Sequence, residues 1–145
     1  MRDSMLVAKY VIDYCTKTGN PISNLQLQKI LYYIQLNFYR NFKKPCFEEN
    51  SFEAWEYGPV VPKVYRLFCS YGAAKICNVY SELGQLFINV EKELCEKVIN
   101  TCVNMDVWDL VQRSHKEGSP WKQVYRDRHE LIPENLMRDY AMSMQ

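Results

Sequence analysis

A chain of 145 residues, 48% hydrophobic and 24% charged, is ordinary globular material and long enough to bury a core without staples. Its formal net charge of +1 supplies no field that would recruit nucleic acid or an anionic membrane. Eleven Tyr, six Phe and three Trp stand out, as core volume and as interface anchors.

The N-terminal stretch MRDSMLVAKYVIDYC has no basic region followed by a continuous apolar run, so a secretory signal is not expected. No segment approaches the roughly 18 apolar residues of a membrane span. Cys15, Cys46, Cys69, Cys77, Cys95 and Cys102 are scattered, with no C-x-x-C pair. They read as reduced, buried or half-buried thiols of a cytoplasmic protein.

The first helix is expected from Ser4 to Lys17, with Met5, Ala8, Tyr10, Ile12 and Cys15 as its apolar stripe. Thr18-Gly19-Asn20-Pro21 ends it with cap and breaker chemistry. Ser23 and Gln26 then form a capping box, flanked by Ile22 and Leu27 as a hydrophobic staple. The helix so started runs from Asn24 to about Phe42 and is apolar on two sides. Leu27, Ile30, Leu31, Ile34 and Phe38 make one stripe; Leu25, Tyr32, Leu36 and Tyr39 make the other. A narrow strip through Gln26, Lys29, Asn37 and Arg40 is left polar. Such a helix lies in the middle of a bundle or also gives a face to a partner. On the second reading Tyr32, Leu36 and Tyr39 are the candidate partner-binding residues.

Lys43-Lys44-Pro45 breaks the pattern, and a loop follows to Asn50. Ala54 to Phe68, AWEYGPVVPKVYRLF, reads as strand, tight corner, helix. Trp55 and Tyr57 alternate with Glu56, Gly58-Pro59 stops the strand, and Pro62 opens a helix. Val61, Val64, Tyr65 and Phe68 form its apolar face. The rings of Trp55, Tyr57, Tyr65 and Trp121 are expected to be mainly core and corner. Cys77 to Tyr80 suggests a second brief strand paired with the one around Trp55. A helix over residues 91–104 presents Leu94, Val98 and Cys102, with Cys95 and Ile99 adjoining. Asp106 caps the next, carrying Val107, Leu110, Val111 and Ser114. Ser119-Pro120 starts another, and the last runs from Pro133 to about Met142. The expected fold is a single domain, residues 1–145: mainly α, with a small two-stranded β element.

Chemistry is sparse in this pattern. Only His115 and His129 could serve a cysteine nucleophile, and neither sits in a recognisable signature. His115-x-Glu117 is too little for zinc, and no Gly-rich phosphate loop or other cofactor motif is present. The stretch HKEGSPW reads as a polar corner, Glu117 near the next helix N-terminus and Trp121 plugging the core, or as a polar pocket. An enzyme would need His115, Glu117 and a cysteine to converge there.

The order ISNLQLQKILYYIQ, AWEYGPVVPKVYRLF, WDLVQRSHKEGSPWKQVY resembles the Panacea domain family of phage-associated proteins and antitoxins, which includes the SocA-like antitoxins. The resemblance covers about residues 5–140. Leu27, Gln28, Lys29, Leu31 and Tyr32 match its helix block. Ala54, Trp55, Tyr57, Gly58, Pro59, Val60, Pro62, Val64 and Tyr65 match its central block, and His115, Glu117, Pro120 and Trp121 its C-terminal block. It implies a bacterial or prophage-encoded, non-enzymatic antitoxin that neutralises a cognate protein toxin by direct contact. For the SocA-like branch it also implies a proteolytic adaptor delivering that toxin to the AAA+ protease ClpXP. The alternatives are the His/Glu or Cys pocket enzyme and a prophage-encoded regulatory binding protein without a toxin.

Overall fold

The computed structural model describes residues 1–83 and 85–144. In chain order its elements are α1 (Ser4–Lys17), α2 (Asn24–Phe42), β1 (Glu53–Trp55), β2 (Gly58–Val60), α3 (Pro62–Phe68), α4 (Asn89–Val103), α5 (Val107–Ser114), α6 (Pro120–Val124), β3 (Glu130–Leu131) and α7 (Glu134–Ser143). The class is mainly α with a minor antiparallel β element.

Local chemistry sets the helix ends. Asp3 accepts from the Met5 amide at the start of α1, and Thr18 ends it. At α2 both halves of the capping box are made: Ser23 accepts from the Gln26 amide, and Gln26 accepts from the Ser23 amide. Asp106 and Ser119 cap α5 and α6. Helix α2 lies at the centre, packed by α1, α3, α4, α5, α7 and β2. Val7, Ala8, Val11, Ile12 and Cys15 of α1, and Cys95, Val98, Ile99 and Cys102 of α4, close on it.

The β element departs from expectation. Glu56 and Tyr57 form the turn of a hairpin, and Gly58-Pro59-Val60 is its second strand, not a stop. The register is Glu53↔Val60, Ala54↔Pro59 and Trp55↔Gly58. Pro59 is tolerated because β2 is an edge strand in the order β2-β1-β3, where a missing donor leaves no neighbour unpaired. The third strand pairs Glu130 and Leu131 with Ala54 and Glu53. Cys77 to Tyr80 does not form the expected strand; instead Ile76 bridges to Ile22, donating to its carbonyl at 2.7 Å.

The second stripe of α2 is interior. Tyr32, Leu36 and Tyr39 are 1%, 0% and 2% exposed, so they are core residues and not a face for a partner. The physical reason is a buried polar network that draws α7 and the 43–52 loop over them. Glu134, at the start of α7, accepts from the Tyr39 hydroxyl at 2.6 Å, from Gln35 at 3.1 Å and from the Asn50 amide at 2.8 Å. Asn50 returns the bond by accepting from the Glu134 amide. Gln35 in turn accepts from the Cys46 and Phe47 amides. Burial and the adjacent Glu134 carboxylate push the Tyr39 hydroxyl well above its ordinary pKa, which keeps it a donor.

Tyr39→Phe deletes that donor while keeping the ring. Urea denaturation is expected to show a loss of about 1–3 kcal/mol, the cost of leaving a buried acceptor short. A loss under roughly 0.5 kcal/mol would mean that Asn50 and Gln35 satisfy Glu134 alone.

Candidate functional site

The three sequence blocks meet where the β1–β2 hairpin lies on α2. Gln28 and Lys29 are both fully buried. Gln28 accepts from the Val61 amide at 2.9 Å and donates to Asn24, whose own amide donates to the Tyr65 carbonyl. The Lys29 ammonium donates to the Pro59 carbonyl at 2.9 Å. No carboxylate lies within ion-pair distance of it among the described residues. Burial accordingly pushes its pKa down from the usual lysine range to about 7.

Gly58 is required twice over. Its φ is +113°, and a Cβ there would sit 2.6 Å from Ser114 Oγ and 2.8 Å from Lys29 Cε. Ser114 in turn donates to Val111 and accepts, through its carbonyl, from Ser119. Trp121, 6% exposed, donates its indole N–H to the Trp55 carbonyl at 2.6 Å, tying α6 to the hairpin. The His115 ring stacks on Trp121 with centroids 3.7 Å apart, and Tyr125 stacks on Trp121's ring at 4.6 Å. Burial, with Lys29 and Lys122 nearby, lowers the His115 pKa, and its buried Nε2 has no hydrogen-bond partner among the described residues.

The remaining block residues divide into core and edge. Leu27, Leu31 and Tyr32 are core; Val60 and Pro120 are buried, the latter opening α6; Pro62 opens α3. Trp121 is buried as expected, but three other rings are not core. Trp55 is half-buried, stacked on His129 at 4.0 Å and edge-on to Tyr65, itself half-buried. Tyr57 is 49% exposed at the hairpin tip and meets Trp108, 52% exposed, edge-to-face at 5.5 Å. Strand β1 ends at Trp55, so Tyr57 falls in the turn and not on the strand's inner face.

His115 and Glu117 do not converge into a pocket. The imidazole is held against Trp121, while the Glu117 carboxylate stands in solvent, 3.8 Å from Lys122 Nζ. Four cysteines are buried, and burial raises Cys15 and Cys102 to about 12, which makes them poor nucleophiles. Cys69 and Cys77 are exposed, not half-buried as expected. No three His, Cys, Asp or Glu side chains are grouped to hold a metal among the described residues, and no helix is long and apolar enough to cross a membrane. Trp108 was missed by the sequence reading. Its signal was present: it lies off the Val107, Leu110, Val111, Ser114 stripe, where a large ring has no core to enter.

Lys29→Met tests the buried amine. Above pH 7 the folded chain holds Lys29 neutral while the unfolded chain keeps it charged up to about 10.4, so unfolding takes up a proton. Wild-type stability should therefore rise relative to Lys29→Met between pH 7 and 9, by up to ~1.4 kcal/mol per pH unit. Tyr and Cys titrations are common to both proteins and cancel. Parallel pH profiles in chemical denaturation would contradict this.

Residues 27–122 match the family Antitoxin SocA-like, Panacea domain. Antitoxin SocA of Caulobacter vibrioides (strain NA1000 / CB15N) is 36% identical over 132 residues, spanning 84% of this chain and 70% of that protein. No solved structure matches. The matched span takes in Lys29, the hairpin, Ser114 and Trp121, and the chain belongs to the SocA-like antitoxin, Panacea domain family.

Proposed function

We propose that this chain, acting as one folded unit, is a non-enzymatic cytoplasmic antitoxin that neutralises a cognate protein toxin by binding it on a preformed face. Family membership supports the antitoxin role. The observation that carries the mode of binding is the Tyr57–Trp108 pair. Both rings are half-exposed: Tyr57 stands at the tip of a hairpin whose Ala54 and Val60 are buried, and Trp108 on a helix whose Leu110 and Val111 are buried. Tyr57 rides on a hairpin tied down by Lys29, Gln28 and Trp121, and Trp108 on the capped first turn of α5. Large rings with few rotors, already ordered before contact, are what interface hot spots consist of. A folded face of this kind binds without the ordering cost of a disordered tail.

Delivery of the bound toxin to a AAA+ protease such as ClpXP is the second step of the same proposal; its support is the family alone. The toxin should be encoded beside this gene, in the prophage-type setting the resemblance implies.

Trp108→Ala should weaken the toxin complex by about ten-fold or more, a hot-spot ring being worth upwards of 2 kcal/mol. Its melting temperature should stay within a few degrees of wild type, since half the ring faces water. Calorimetric titration and a thermal melt of the same sample decide it; unchanged affinity would remove this pair from the contact face. In cells, co-expression of the wild type should shorten the toxin's half-life only while ClpXP is present. A half-life unaffected by removing the protease would leave occlusion as the mechanism.

A further inference from the structure

Helices α2, α4 and α5 leave between them a cleft of about 450 Å³. Its apolar lining includes Tyr33, Val98 and Leu110, and Arg40, Lys97 and Arg113 stand around it. None of the described lining residues is acidic. None of the three cations has a carboxylate within ion-pair distance among the described residues. On a chain of net charge +1, a cleft whose charged residues, among those described, are all cations is a local excess of one sign over an apolar floor.

We infer that this cleft takes a short segment of the toxin in which a large apolar side chain is flanked by carboxylates. This rests on the reading above that the chain binds a toxin, and it adds the chemistry of the contact. Charge complementarity selects the sign: cations without a carboxylate partner favour carboxylates and oppose a basic segment. The openness of the rim selects a macromolecular segment over a small ligand. Lys97, Thr101 and Arg113 are exposed, so a small anion would keep much of its surface in water, whereas ligand sites bury most of theirs. A segment projecting from a partner is covered from outside by the partner itself. Helix α5 carries Arg113 at this cleft and Trp108 on a different side, outside the cleft lining.

The test uses the full chain and the purified toxin encoded by the neighbouring gene, titrated at low and high salt. Lys97→Glu/Arg113→Glu should weaken the complex about ten-fold or more. Both side chains are exposed, so the melting temperature should hold. Thr101→Glu, also on the exposed rim, is the second variant if the double one fails to fold, and should weaken binding in the same direction. Wild-type affinity should fall as salt rises, and the salt dependence should flatten in the variants. A wild-type complex that the folded variants form equally well overturns this inference and leaves the antitoxin reading standing. Absence of any complex with the wild type overturns both. Dodecanoate binding, or self-association of the free chain, that is lost in the variants while toxin binding is unchanged would give the cleft to a small apolar anion or to a second copy, and would also overturn it.

Discussion

A lysine amino group enclosed by protein, with no carboxylate in ion-pair reach among the described residues, is the constraint on which the central part of this structure depends. Among the described residues, Lys29 has one hydrogen bond, to the Pro59 carbonyl. Leaving a buried amine without an acceptor is costly, so the hairpin must present that carbonyl at that point. The approach is so close that position 58 has no room for a Cβ. Gln28, one residue back, fixes the Val61 amide just beyond the strand, so that adjacent side chains of α2 grip both sides of Val60. Trp121 completes the clamp from the far side through the Trp55 carbonyl. Sequence blocks lying far apart in the chain are thereby parts of one joint.

That joint separates two kinds of aromatic residue. Rings carried into the core by α2 or stacked below the hairpin, Tyr32 and Trp121 with His115, fill volume and close the corner. Tyr57, at the tip, is turned outward by the same geometry and meets Trp108. A partner arriving there would find ordered rings instead of a loop that has first to be arranged. The antitoxin role proposed above would use such a division: stable scaffold inside, contact surface at the tip.

How much of this was legible in sequence follows from which forces were local. Caps and amphipathic stripes act within a few residues, and the bounds of α1 and α2, with the caps at Ser23, Asp106 and Ser119, could be read directly. Strand pairing is non-local. The third strand, Glu130–Leu131, is too short to show a period, and its partner lies nearly eighty residues away, whereas Cys77–Tyr80 is close in sequence to β1. Lys29 belongs to the narrow polar strip of the α2 sequence, and a lysine on a helix is seldom enclosed; only the hairpin folding over it buries it. The Tyr32, Leu36, Tyr39 stripe was open to two readings, and Glu134 on a distant helix decided for the interior. Trp108 falls outside the apolar stripe of α5, so periodicity gives it no place in the core, and its partner ring Tyr57 is distant in sequence.

The central claim is that the hairpin is locked to α2 and does not open separately from it. The Val61 amide, bonded to the buried Gln28 side chain, reports this directly. In native-state hydrogen exchange by NMR, the account predicts that Val61 exchanges only through global unfolding, with the same free energy and the same denaturant dependence as the most protected amides of α2. Exchange of Val61 orders of magnitude faster than those amides, and insensitive to denaturant, would show the hairpin opening by itself and would contradict the account.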